Sequence, residues 1–134
     1  MKKIAAALLA LLCTGPAVAD EMWSSDQGEI IYERDVGEIV VFSFPFAPGR
    51  AEMYIENLIG NFDRRGIHEG YWIAPGSDGS CSASLTGPDG IQSTNWGRFT
   101  LRFDSRAYPS GFVANMGECF NAPDQVWQLR AYPY

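Results

Sequence analysis

Apolar positions along this chain recur with a period of two. The clearest case is Arg98–Asp104, where Phe99, Leu101 and Phe103 share one face and Arg98, Thr100 and Arg102 share the other. Such alternation predicts a half-buried antiparallel strand. Glu38–Phe46 repeats it, with Val40, Phe42, Phe44 and Phe46 opposed to Ile39, Val41 and Ser43, and with Pro45 expected near an edge or end. Further strands are predicted at Glu29–Glu33, Arg50–Glu56, His68–Ile73, Cys81–Leu85, Phe112–Met116 and Val126–Tyr132. Turn signals separate them: Ala47-Pro48-Gly49, Pro75–Ser80, Pro88-Asp89-Gly90, Tyr108-Pro109-Ser110-Gly111 and Asn121–Asp124. No long window carries apolar residues at helical spacing. About eight short strands without crossover helices predict a single all-β domain, an antiparallel meander closing as a barrel, with a β-sandwich as the alternative.

The first nineteen residues depart from this pattern. Lys2 and Lys3 precede the apolar run Ile4–Cys13, Pro16 follows, and Ala17-Val18-Ala19 offers small residues for cleavage. This is the layout of a secretory signal peptide, and the run is too short to span a bilayer. Cys13 raises lipid attachment as an alternative, but Leu11-Leu12 precede it where a small residue is needed. Met1–Ala19 is therefore expected to be removed, leaving Asp20–Tyr134 as one domain in the periplasm or outside the cell.

Removal changes the charge. Both lysines go, leaving eight Arg against sixteen acids, a net charge of −8 in place of −6. That balance argues against nucleic-acid binding, which needs basic surface. The acids crowd early, at Asp20, Glu21, Asp26, Glu29, Glu33, Asp35 and Glu38, and read most simply as a solubilising face. Two cysteines remain, Cys81 and Cys119, without C-x-x-C spacing. In an oxidising compartment they are expected to form one structural disulfide.

Catalytic patterns are sparse. His68 is the sole histidine, and in a strand it points away from its neighbour Glu69. One imidazole without adjacent cysteine ligands makes a poor zinc site, and no G-x-S-x-G elbow occurs. Asn61-Phe62-Asp63-Arg64-Arg65-Gly66 starts like a calcium loop but fails at Arg65 and at Trp72, where a bidentate Glu is required. No spacing singles out a carboxylate pair for hydrolysis. The expectation is a protein without catalytic activity, cofactor or metal.

The aromatic residues carry more information: eight Phe, six Tyr and four Trp. Phe99, Phe103, Phe112 and Trp127 are expected in the core. Tyr71, Trp72, Trp96 and Trp23 are the candidates for ligand-binding aromatics, since an exposed ring can stack on a sugar or anchor a peptide. The triplet Gly70-Tyr71-Trp72 resembles the G-x-W strand motif of lipocalin- and avidin-like barrels, in which a basic residue near the chain end packs on the Trp; Arg130 matches that residue. In lipocalins the triplet lies in the first strand, whereas here it lies mid-chain. The resemblance implies a similar barrel and carries no ligand with it.

These readings converge on a binding module that uses exposed aromatics or a barrel mouth to hold a small molecule, a glycan or a protein strand. The alternatives are a protein-interaction or protease-inhibitor-like domain acting through its acidic face and the segment Asp20–Gln27, and a small hydrolase.

Overall fold

The computed structural model describes residues 21–58, 66–75, 79, 81–105 and 110–132. The signal-peptide segment Met1–Ala19, residues Asn61–Arg65 of the calcium-like loop, and parts of the turns expected at Pro75–Ser80 and Tyr108–Gly111 lie outside them. Every regular element described is a strand: β1 (Met22–Ser25), β2 (Gly28–Val36), β3 (Ile39–Phe46), β4 (Gly49–Glu56), β5 (Ile67–Ile73), β6 (Leu85–Thr86), β7 (Gln92–Ser93), β8 (Trp96–Phe103), β9 (Phe112–Met116) and β10 (Gln125–Ala131). Eight of them close an antiparallel barrel in the order β1-β10-β9-β8-β5-β4-β3-β2, while β6 and β7 form a separate two-stranded ladder. The barrel is the predicted meander, and the sandwich alternative falls away because β1 pairs with both β2 and β10.

Alternation decides what lies inside. Phe42 and Phe44 of β3, Met53 and Ile55 of β4, Trp72 of β5, and Phe99, Leu101 and Phe103 of β8 all point inward. Trp23 packs on Phe42 with centroids 4.8 Å apart and on Phe112 at 5.1 Å, and Phe103 meets Phe112 at 5.4 Å. This barrel is therefore filled by side chains rather than hollow.

Two elements differ from the sequence reading. Met22–Ser25 is a strand, though the segment carries only one strongly apolar pair, Met22-Trp23. All four residues pair with β2, and Trp23 and Ser24 pair with β10, which closes the barrel and ties the segment into it. Conversely, Cys81–Leu85 is not a barrel strand; only Leu85 pairs, with Ser93 across the β6–β7 ladder. Cys81 is held by its N–H on the Thr94 carbonyl, and residues 82–84 are exposed.

That β5–β8 connection returns over the outer wall as a strap. Beneath it Val41, Tyr54, Ile73, Cys81 and Trp96 form a second, smaller core outside the barrel. The expected disulfide is present: Cys81 joins Cys119 across a sequence separation of 38, linking the strap to the β9–β10 loop, residues 117–124.

Candidate functional site

Four connections gather at one end of the barrel: the β1–β2 and β3–β4 turns, the strap, and the β9–β10 loop. The β3–β4 turn contains the cis bond Ala47–Pro48. Inside this end lies a cavity of about 660 Å³, within the range of small-molecule sites. Phe44, Pro45, Phe46, Trp72 and Trp127 wall it. Phe44 is the hub of the rings, nearly perpendicular to Trp127 (79°, centroids 5.3 Å), Trp72 (79°, 5.7 Å) and Phe46 (80°, 6.5 Å). The rim is polar, from Glu118, Asn121, Asp124 and Gln125. Two of these are acids, and among the described residues no Arg, Lys or His lines the cavity.

The rim loop is fixed from several sides. Trp72 donates its indole N–H to the Gly117 carbonyl at 2.8 Å, and the Gly117 and Cys119 amides donate to the carbonyls of Arg98 and Trp96 at 2.9 and 2.8 Å. The Arg98 guanidinium donates to the carbonyls of Phe120 and Asn121. Cys119 takes φ 53°, a left-handed conformation that costs a non-glycine residue about 1–2 kcal/mol and persists only when its surroundings over-determine it. The close approach also explains Gly97. A β-carbon there would stand 1.9 Å from the Gly117 oxygen and 2.5 Å from Trp72 Nε1.

The four nominated aromatics separate. Trp23 is 0% exposed and donates its indole N–H to the Ser110 carbonyl, deep in the barrel. Trp96 is 2% exposed, sealed beneath the strap, with its N–H on the Ala83 carbonyl. Neither ring offers a face to solvent. Trp72, at 5% exposure, is a wall of the mouth rather than an open platform. Of the four, Tyr71 alone is exposed, at 42%, and it faces the outer wall. There it borders a groove of about 480 Å³ between the sheet and residues 85–88 of the strap. Two of the polar side chains of that groove hold the strap and loop: Tyr54 donates to Asp89 at 3.3 Å and Arg98 to Phe120. Arg130 is exposed on β10, in register with Ser24.

Trp127 is the residue that sequence reasoning placed in the core without further role. It is 9% exposed and walls the mouth, yet its Nε1 has no hydrogen-bond acceptor among the described residues. The other three indoles each donate to a backbone carbonyl. No signal in the sequence distinguishes it from them.

His68 is buried at the far end of β5, edge-on to Phe103, and its Nδ1 donates to the Glu56 carbonyl at 3.0 Å. Among the described residues no group of three or more His, Cys, Asp or Glu side chains is placed to hold a metal ion. Compared with protein-family models, curated proteins and solved structures, the chain matches none of them.

Proposed function

We propose that this chain is an exported, non-catalytic binding module that seats a small ligand in the mouth of its barrel. The observation that carries this reading is the aromatic-walled cavity of about 660 Å³, concave, with a few polar groups on its rim. Export is supported by the signal-like head Met1–Ala19 and by the disulfide, which suits an oxidising compartment. The alternative that acts through the segment Asp20–Gln27 has less support, because Met22–Ser25 would have to leave the barrel to reach a partner as a free chain end.

Two of the four tryptophans wall the site, so intrinsic fluorescence reports on it directly. Titration of the disulfide-bonded protein with sugars, short fatty acids and amines is expected to shift or quench emission for one class. Emission unmoved by every class would overturn the mouth as a binding site.

A further inference from the structure

The mouth, taken as the binding site proposed above, also bears on what kind of molecule it holds. We infer that the ligand is a neutral saccharide unit, an inference that rests on that proposal. Three features of the cavity restrict the ligand: two remove classes of molecule and the third asks for an apolar face.

The first is the Trp127 indole. Buried Trp N–H groups almost always find an acceptor, and a buried donor left without one carries a desolvation cost. Trp127 Nε1 lacks an acceptor while its ring forms part of the cavity wall. A ligand that supplies an oxygen lone pair relieves that cost. A hydrocarbon chain and a quaternary ammonium group have no such atom. Nε1 is itself covered in the folded chain, so the inferred bond requires the indole to turn toward the cavity when the ligand is seated.

The second is the rim. Glu118 and Asp124 present carboxylates, and no described lining residue is cationic. A carboxylate or phosphate ligand would bring like charge to these acids with nothing to neutralise it. The rim asks instead for donors, and hydroxyl groups supply them in charge-assisted hydrogen bonds. The third is the wall itself. Phe46 is half-buried, with Phe44 and Trp72 packed against it and Trp127 behind Phe44, so the wall offers an apolar surface for a ligand to lie on. A pyranose meets all three demands at once: its C–H face packs on a ring, one hydroxyl oxygen accepts from Trp127, and other hydroxyls donate to the rim acids.

The test is a set of ¹H–¹⁵N spectra of the disulfide-bonded chain, in which the four indole N–H resonances are separate readouts. Trp127 is assigned by its disappearance in Trp127→Phe. Titrants are glucose, N-acetylglucosamine and their trisaccharides, with decanoate as the apolar-tailed anionic arm and tetramethylammonium as the cationic arm. The expected result is that a saccharide moves the Trp127 resonance most. Trp127→Phe, which keeps a ring but removes the donor, should then weaken saccharide binding about five- to tenfold. Glu118→Gln with Asp124→Asn should weaken it further and leave the thermal midpoint unchanged. If decanoate or tetramethylammonium moves the mouth indoles and no saccharide does, the mouth stands and the saccharide inference falls. Saccharide binding that Trp127→Phe leaves untouched also overturns the inference. If no titrant moves Trp72 or Trp127, the mouth itself is overturned.

Discussion

Inside the barrel, Trp23, Phe42, Phe103 and Phe112 lock ring on ring, and every barrel strand contributes side chains to one continuous core. On the outer wall, Val41, Tyr54, Ile73, Cys81 and Trp96 make a much smaller cluster under a strap whose own ladder is two residue pairs long. The interior is stabilised by area removed from water. The strap buries too little for that and is fastened by discrete bonds. Arg34 reaches Glu52 at 2.7 Å and Asp89 at 2.6 Å, Tyr54 reaches Asp89, Trp96 reaches the Ala83 carbonyl, and the disulfide closes the far side. The difference bears on the site. One of these fasteners, the disulfide, ends on the β9–β10 loop, and Trp96 accepts the Cys119 amide on its carbonyl, so the outer core holds one side of the mouth.

The comparison breaks most directly at Phe112. Phe112→Ala removes a fully buried ring that contacts Trp23, Phe42 and Phe103. It should cost about 3–5 kcal/mol in urea unfolding and lower the stability of the whole chain. A loss under about 1 kcal/mol would mean the interior is not the dominant core. Next in size is the disulfide. Replacing Cys81 and Cys119 with Ser should cost about 2–4 kcal/mol, chiefly through the freed unfolded chain. Hydrogen exchange should then quicken first at the Gly117 and Cys119 amides, ahead of the amides of β3 and β4. Uniform quickening would show that strap and barrel open as one unit.

The same contrast governs what could be read from the sequence. The interior face of β8 was legible because from Arg98 onward its other side is only partly covered, which leaves a clean alternation, whereas β3 and β4 also bury Val41 and Tyr54 on their outer side and were read from their strand-forming composition as well. The strap was not. Cys81–Leu85 has the composition of a strand, but its course is set by a crosslink and by the Thr94 carbonyl rather than by a ladder. Trp96 shows the limit of alternation: it points outward from the barrel, as its strand dictates, and is buried all the same because the strap covers it. Met22–Ser25 is too short to show a period, and its role emerges only when the barrel closes. Closure also makes the mouth. Trp72 and Trp127 lie far apart along the chain and face one cavity only once β5 and β10 share a barrel.

A narrower variant separates mouth from core. Gly97→Ala puts a β-carbon against backbone that has no flexible end to move aside, the Gly117 oxygen. The β9–β10 loop must retreat, at a cost of about 1–3 kcal/mol. Because Trp72 Nε1 donates to that same oxygen, its indole resonance should shift, while the Trp23 resonance should stay in place. A Trp72 signal that does not move would mean the loop is not held by this contact.

The smallest effect tests the outer core through pH. Burial pushes the Tyr54 phenol well above the usual tyrosine value, and the negative charges of Glu52 and Asp89 add to it, partly offset by Arg34. The folded chain thus keeps a proton that the unfolded chain releases near pH 10, at about the ordinary tyrosine value. Below that pH the contribution is constant. Above it the unfolded state binds fewer protons, so stability falls as pH rises, by at most about 1.4 kcal/mol per pH unit for one group. Tyr54→Phe removes the ionisation along with the bond to Asp89, which costs about 1 kcal/mol at neutral pH. The urea midpoints of parent and variant should therefore converge between about pH 9 and pH 11. A constant gap would show that Tyr54 is as hydrated in the folded chain as in the unfolded one. The strap would then not be seated on the wall, and the distinction between a buried interior and a fastened exterior would fail at its outer side.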